Sequence, residues 1–469
     1  MPVIQSHDIT LYGGNGNYDV VLRPLTDEHL PLLYKWMADP DVTYFTESAV
    51  GLRYKQETVR RKYGGMSREA PCFIVEANGA PVGECWLQPI NRADVRALYP
   101  DGMDVRRIDM SIGEKEYWNK GIGSMFIRML VKYAFEGAHV DALHCFCEDY
   151  NPRSERMWQK NGFTFIKKEP TSPDCVGKFQ LHYALTRRAY IESRRAHIPH
   201  EQTFSLPVPA LHPSQPCVSA GKLRLCREWF AQGNAIDPIP VRRFMDRWLM
   251  LDGHARAVTA LQNGVQELPC YIDCGDRDMA AYAEDLDTCM AAGVTSVAAL
   301  ADRAVSPKDY EVLWCKRCME RHERLSYSYM KQGEEVLFWT ENAVPEEGHN
   351  IRPIGRDALD LFNHHLALCG QKPMSAMDAD YFLLFEDGAP VARAGIEKIG
   401  ETLWEVSDVR VARPWRHRGF GRAISAHVLN RIIAAGHIAT CRTMPDNAGM
   451  NAIIGSLGFR PLYERKDGQ

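Results

Sequence analysis

One pattern, written twice, constrains the fold of this 469-residue chain more than any other feature. "LRPLTDEHLPLLYKWM" begins at Leu22 and its counterpart "IRPIGRDALDLFNHHL" at Ile351. "VEANGAPVGECWL" (Val75 to Leu87) then matches "LFEDGAPVARAGI" (Leu384 to Ile396). Each of these reads as a strand, a Gly-containing turn and a second strand, the signature of a hairpin. A glycine turn follows in each copy, Gly121-Ile122-Gly123 and Gly419-Phe420-Gly421. Each copy closes on a helix followed by Gly-Phe, "NPRSERMWQKNGF" and "NAGMNAIIGSLGF". Gly121 stands 41 residues before Gly162, and Gly419 stands 39 before Gly458. The shared order and spacing predict two copies of one α/β (α+β) domain.

A chain of this length exceeds one compact core, so two to four domains are expected. With 45% hydrophobic and 25% charged residues it reads as globular. A net charge of −4 gives no basic face and argues against a nucleic-acid partner. No apolar run approaches the roughly 20 residues of a membrane span, and "MPVIQSHDIT" lacks the layout of a signal peptide. The 14 cysteines are scattered and read as reduced, buried thiols of a cytoplasmic protein. Cys315-Lys-Arg-Cys318 is the only CxxC, Cys145-Phe-Cys147 is a strand-like pair, and no second pair stands at zinc spacing, so no metal is expected.

Between the copies, residues 189–216 are rich in Pro and His and read as a connector. The stretch from Gly221 to Asp273 alternates helix-like and strand-like runs, and after Asp278 the pattern turns helical through about Leu325. The expected organisation is therefore 1–188, 189–330 and 331–469.

At the first turn a strand-like "IDMSIG" leads through "WNKGIGS" into the amphipathic "MFIRMLVKYAF". Glycines at such a corner let backbone N–H groups point into open space, and the helix N-terminus adds partial positive charge that suits a phosphate. Hairpin, strand, glycine turn, helix, strand and Asn-containing helix ending in Gly-Phe together resemble the GNAT acetyltransferases. That resemblance implies a turn that binds the pyrophosphate of acetyl-CoA and a preceding strand that splays from its neighbour to admit the pantetheine arm. It places acetyl-CoA at Ser111, Ile112, Trp118, Lys120, Gly121, Ile122, Gly123, Ser124 and Asn151 in the first copy. In the second it places acetyl-CoA at Val411, Arg416, Arg418, Gly419, Phe420, Gly421, Arg422 and Asn447. Trp118 stands where the family has Gln or Arg, which is expected to remove a polar contact and leave the backbone cradle intact. Asn151 and Asn447 are either pantetheine contacts or helix N-caps. The family's Tyr, a proton donor to the departing thiolate, is replaced by Trp158 and Ile454, neither of which can serve as an acid.

The first copy is similar to the aminoglycoside 6'-N-acetyltransferases in "LRPLTDEHLPLLYKWMADPDV", "IDMSIGEKEYWNKGIGS" and "NPRSERMWQKNGF". This resemblance makes Asp109 the catalytic carboxylate that orients a small-molecule amine and accepts its proton. An alkylamine is mostly protonated at neutral pH, and a carboxylate in reach attracts the ammonium and assists proton loss. Strand N–H groups near Ser111 and Ile112 are expected to stabilise the oxyanion. Asp94, Asp101, Asp104, Glu114, Glu116, Asp141, Glu148 and Asp149 are candidate partners for a polycation. Trp36, Tyr44, Phe45, Trp86 and Tyr99 are candidate sugar-stacking rings or core residues. No acid of the second copy aligns with Asp109; its strand offers Glu405 and Asp408 farther back, so that copy either uses another base or binds acetyl-CoA without catalysis.

"PIPVRRFMDRWLMLDGHARAVTAL" reads as strand, turn, strand and helix and resembles the ParB/sulfiredoxin-like domains. By that resemblance Asp252, Gly253, His254 and Arg256 form a nucleotide-binding candidate; the alternative is a structural spacer. Gly253 stands where sulfiredoxins place their catalytic cysteine, which argues against their chemistry. The expected architecture is two GNAT-type mixed-sheet domains flanking a ParB/sulfiredoxin-like one. The expected activity is acetyl transfer to an aminoglycoside-like amine. A protein, peptide or metabolite amine as acceptor, and a nucleotide-responsive binding protein, are the other readings.

Overall fold

The hairpin turns fix the register of both repeats. Asn78 and Gly79 take φ of 49° and 77°, and Asp387 and Gly388 take 49° and 80°. Two successive residues at positive φ make the two-residue turn whose twist suits paired strands. The computed structural model describes residues 2–195, 198–273, 275, 279–324 and 335–462. Ala196 and His197 of the expected connector, Asp278 and Leu325 at the ends of the expected helical run, and the boundary at 330/331 lie outside the described residues. The chain forms two units: Met1–His197 with Cys217–Asp237 and Ala304–His322, and Ile198–Pro216 with Pro238–Arg303 and Glu323–Gln469.

In the first unit eight strands form one sheet. Their spatial order is β1 (Leu11–Gly14), β2 (Asp19–Pro24), β3 (Cys72–Ala77), β4 (Ala80–Pro89), β5 (Val105–Ile112), β6 (Ala142–Glu148), β8 (Phe179–Thr186) and β7 (Thr164–Pro170). All neighbours are antiparallel except β5 and β6. Helices α1 (Leu30–Met37), α2 (Pro40–Thr46) and α3 (Gln56–Glu69) precede β3, α4 (Ile122–Lys132) follows β5, and α5 (Pro152–Lys160) follows β6. Helix α4 turns Ile122, Phe126, Ile127, Met129 and Leu130 to one side, the stripe its period allows, and buries them with Cys85, Leu87 and Ile108. Helices α1 and α3 bury Leu33, Trp36, Val59 and Tyr63 with Ile74 and Trp86. Alternation along β3 and β4 puts these two cores on opposite faces of the sheet.

The second unit repeats the plan with one exchange. Its seven strands run in the order 350–354, 380–386, 389–398, 403–411, 438–443, 336–340 and 460–461. The pair 403–411 and 438–443 is again parallel. The place beside 438–443 that β8 holds in the first sheet goes to Val336–Thr340, a strand that precedes the repeat in sequence.

Residues 189–330 are shared between the units. Helix Ala220–Ala231 lays Leu225 into the first unit's core. A five-stranded sheet of Leu211–His212, Arg247–Met250, Ile239–Phe244, Glu267–Ile272 and Phe204–Pro207 belongs to the second. The expected strand, turn, strand and helix are present as Ile239–Phe244, Arg247–Met250 and His254–Gln262. The expected connector is more structured than its prolines suggest: Phe204–Pro207 and Leu211–His212 are the sheet's two edge strands, where proline is tolerated. Helices Met279–Ala291, Val297–Ala301 and Pro307–Tyr310 occupy the expected helical run. Among the described residues no helix is long and apolar enough to cross a membrane.

Close approach and a buried carboxyl mark the β4–β5 contact. A Cβ on Gly83 would lie 2.2 Å from the Ser111 carbonyl oxygen and 3.1 Å from Ile112 Cα. Next to it Glu84 is buried, accepting hydrogen bonds on Oε1 from Tyr63 (3.1 Å) and Ser111 Oγ (3.0 Å). Burial pushes its carboxyl from 4.5 to about 7, against the pull of Lys62 and the two hydroxyls. Gly83→Ala should force the two strands apart and lower the urea midpoint, by about 1–3 kcal/mol of stability; an unchanged midpoint would contradict the packing. Because the Glu84 carboxyl is raised by folding, its stabilisation is complete below pH 4.5 and fades as pH rises through about 7. Glu84→Gln should remove a pH-dependent loss of up to ~3 kcal/mol from the unfolding profile. Parallel profiles for the two proteins would show that Glu84 does not titrate there.

Candidate active site

The site begins where β5 and β6 part. They pair at Val105↔Ala142, Arg106↔Leu143 and Arg107↔His144, and the pairing stops there. The second sheet does the same after Leu403↔Ile438, Trp404↔Ala439 and Glu405↔Thr440. Residues of an antiparallel ladder alternate in the side to which their N–H groups point. Ile90 N bonds Val105 O and Gly113 N bonds Val82 O, so odd-numbered β5 residues face β4. The N–H groups of Met110 and Ile112 therefore point across the fork. Of the two expected oxyanion donors the Ile112 N–H faces the fork, whereas the Ser111 N–H is directed into the β4 ladder. Met110 was missed because ladder parity requires a known register. In the second unit Ala412 N bonds Val391 O, which turns Val411 to its fork.

Both glycine turns have the same backbone. Asn119 and His417 each have φ of 61°, and Gly121 and Gly419 follow at 79° and 87°. The first helical bonds are Met125 N to Gly121 O and Ala423 N to Gly419 O. This leaves the N–H groups of Ile122, Gly123 and Ser124, and of Phe420, Gly421 and Arg422, without helical acceptors. No side chain caps either helix. Gly123 and Gly421 lie against the last helix of their copies: an added Cβ would be 3.3 Å from Met157 Sδ and 3.1 Å from Ile453 Cδ1. The side chains of Ile122 and Phe420 are core anchors, so these two residues offer only their backbone.

Trp118 requires a correction. Its indole N–H donates to the Ile112 carbonyl at 2.8 Å, and Arg416 Nε donates to the matching Val411 carbonyl at 3.2 Å. The two side chains hold the same strand end, so the tryptophan keeps this polar contact. Lys120 is exposed, its carbonyl accepting from Asn15 Nδ2 at 3.1 Å. Arg418 is exposed, and Arg422 pairs with Glu347 at 3.3 Å. Both asparagines are N-caps through Oδ1: Asn151 accepts from Ser154 N (3.3 Å) and Asn447 from Met450 N (3.2 Å).

A cavity of about 570 Å³ occupies the first fork, lined by Asp109, Ser111, Ile112, Trp118, Gly121, Gly123, Ser124 and Asn151. Of the residues expected in the first copy, Lys120 and Ile122 do not line it. Arg153, Arg156 and Lys160 do, and sequence reasoning passed over them. Their i, i+3, i+7 spacing on α5 puts three cations on one helix face, a signal present in "NPRSERMWQK". Arg153 stacks on Phe45 and Trp118, 4.4 and 4.7 Å from their centroids. Trp158 also lines the cavity but is almost wholly buried.

Asp109 accepts from Gln88 Nε2 at 2.5 Å and Arg107 Nε at 2.6 Å, both on Oδ2. Oδ1 accepts neither of these bonds. The other expected acids mostly face their own cations: Asp94 pairs with Arg92, Asp104 with Arg106, Asp141 with Arg187 and Glu114 with Lys35. Asp149 accepts from Lys178 N, and Asp101 and Glu116 are exposed. Glu148 alone joins Asp109 among the acids of the cavity wall, and burial pushes its carboxyl up. Among the expected rings Phe45 lines the cavity, Trp36 and Trp86 are core, Tyr44 packs on Tyr150, and Tyr99 bonds His144.

The second copy holds its acids differently. Ser407, opposite Gly395, occupies the register of Asp109, opposite Trp86. Asp408 is a bulge residue at φ 45°, bonded through both oxygens to the buried Arg393 at 2.7 and 3.2 Å. Buried Glu405 pairs at 2.9 Å with Arg442, whose side chain is 7% exposed. In the middle segment Gly253 opens its helix at φ 81°, and buried His254 accepts from Ser214 N at 3.0 Å. Arg256 donates to the Pro238 carbonyl at 3.2 Å and lies 3.9 Å from Asp252. These contacts tie the helix start to its own neighbours.

Two separate stretches of the chain match known protein families. Residues 19–164 match the acetyltransferase (GNAT) domain model, and residues 350–459 match the acetyltransferase (GNAT) family model. Aminoglycoside N(6')-acetyltransferase type 1 of Serratia marcescens is 25% identical over 185 residues, covering 39% of this chain and 90% of that protein. An N-acetyltransferase 9-like protein of Nematostella vectensis is 20% identical over 187 residues, covering 36% and 93%. An aminoglycoside 6'-acetyltransferase crystallised with coenzyme A is 24% identical with a TM-score of 0.31, covering 37% of this chain and 99% of that one. The chain is an acetyl-CoA-dependent N-acetyltransferase that carries two GNAT domains, at residues 19–164 and 350–459.

Proposed function

We propose that the first domain acetylates a primary amine of an aminoglycoside-like substrate at the β5–β6 fork, with Asp109 as the group that receives the amine. The uncapped turn at Gly121, with three N–H groups lacking helical acceptors, is the observation that carries the reading, because it fits a phosphate-bearing cofactor. Ile122, Gly123 and Ser124 would hold the pyrophosphate through their backbone, with Arg153, Arg156 and Lys160 adding positive charge. Acetyl-CoA supplies the activated acetyl thioester. Asp109 Oδ1 attracts the ammonium and assists loss of its proton, directly or through water, while Gln88 and Arg107 fix Oδ2. Ile112 and Met110 present N–H groups to the developing oxyanion. Acetylation removes one cationic amine from the acceptor, which for an aminoglycoside antibiotic is a route to resistance.

One observation favours a smaller acceptor as the second reading. Only Asp109 and Glu148 represent the acids on the cavity wall, and a polycation with many amines calls for more. For the second domain we propose acetyl-CoA binding at Gly419–Arg422; the engagement of Asp408 and Glu405 by arginines favours a role without a free base. For residues 189–330 we propose a structural role shared between the units, supported by the local bonds of His254 and Arg256.

A thiol-release assay over kanamycin-class aminoglycosides and simple diamines separates the two acceptors. Asp109→Asn should lower kcat by about 10²–10⁴-fold while acetyl-CoA binding is kept; undiminished turnover would remove Asp109 from the reaction. Arg153→Ala should raise the KM for acetyl-CoA about tenfold, some 1.4 kcal/mol, with the KM for the amine unchanged. An effect confined to the amine would place Arg153 on the acceptor side instead.

A further inference from the structure

The single CxxC of the sequence lies outside the fork, on the helical run 307–322 of the first unit. Cys315 and Cys318 line a second cavity of about 570 Å³ together with Tyr12, Gly13, Lys132 and Lys222. Each thiol is half-buried and has a cation beside it. Lys132 Nζ donates to Cys315 Sγ at 2.9 Å and to Glu311 Oε1 at 2.6 Å, and Arg321 Nη2 lies 3.7 Å from Cys318 Sγ. Lys222 stands over the Tyr310 ring at 5.0 Å on the same wall. Residues three apart on a helix present their β-carbons about 5–6 Å apart, and a disulfide needs about 3.5–4.5 Å. The π-turn Glu311–Lys316, which contains Cys315, is the part of the helix able to absorb that closure.

We infer that Cys315 and Cys318 form a redox-active dithiol that exchanges with low-molecular-weight disulfides entering this cavity. The Cys315 sulfur attacks one sulfur of the small disulfide, the S–S bond breaks, and one thiol departs. Cys318 then attacks the Cys315 sulfur of the mixed disulfide and releases the second thiol. The protons of the two cysteines leave on the two departing thiols, so one protein dithiol and one small disulfide give one protein disulfide and two small thiols. Burial pushes the Cys315 thiol up, and the ammonium of Lys132 opposes it by favouring the thiolate. Lys132 also ends α4, the helix whose first turn is the Gly121 cradle, so the dithiol abuts the far end of the element that the cofactor would touch.

The test uses the full chain and oxidised glutathione, with alkylation of remaining thiols and peptide mapping by mass spectrometry. A bond joining Cys315 to Cys318, reversed by dithiothreitol, is expected. Cys318→Ser should stop at glutathione attached to Cys315, and Lys132→Met should slow that attachment about tenfold. Should Cys318→Ser fail to fold, Cys315→Ser replaces it and should carry glutathione on Cys318. The inference is overturned if both cysteines stay alkylatable to the same extent as Cys175 and Cys226, or if neither serine variant captures glutathione at the remaining cysteine.

Discussion

The parting of β5 from β6 after Arg107 is the constraint on which the rest of the site depends. A parallel pair that stops after three residues leaves strand N–H groups facing a gap, and a gap inside a sheet is a place where such groups can meet a ligand. The same break leaves room for the helix that follows. Helix α4 enters with its glycine turn at the fork and buries a continuous apolar stripe beneath the sheet, so the cradle is as fixed as the core. At the position between the two glycines the copies carry different apolar residues, Ile122 and Phe420, and in each the side chain is anchored inside while the backbone faces the turn.

The two copies show which features belong to the fold and which to a particular reaction. Fork, left-handed turn, uncapped helix and N-capped last helix are common to both. Trp118 and Arg416 share a bond to the strand-end carbonyl, so unlike chemistry satisfies the same structural need. The acids diverge. Asp109, on the cavity wall, is held on one oxygen, whereas Asp408 is displaced by a bulge and clamped through both oxygens by a buried arginine. The buried polar side chain beside the fork also differs, a carboxyl at Glu84 in one copy and a guanidinium at Arg393 in the other.

Much of this was legible in the sequence because it lies in backbone requirements that glycine positions report. The Asn78-Gly79 and Asp387-Gly388 turns, the two glycine corners and the Gly-Phe endings set the order of elements before any packing is known. The strand Val336–Thr340 was not legible as part of the sheet, since its partner lies about one hundred residues away and no local pattern names it. Long-range pairing likewise hid the ladder parity that gives Met110 its place and the division of residues 189–330 between two units. The expected acidic cluster failed for another reason: composition counts charges, and Asp94, Asp104, Asp141 and Glu114 each lie beside a cation that neutralises them. Arg153, Arg156 and Lys160 were available as a helical stripe and were passed over in favour of the glycines.

Amide hydrogen exchange of the full chain, with and without acetyl-CoA, tests the central claim most directly. The account predicts slowed exchange at Met110, Ile112 and Ile122–Ser124 on adding acetyl-CoA, with Ser111 unchanged because its N–H is already in the β4 ladder. Protection absent from the glycine turn, or concentrated away from the fork, would contradict it.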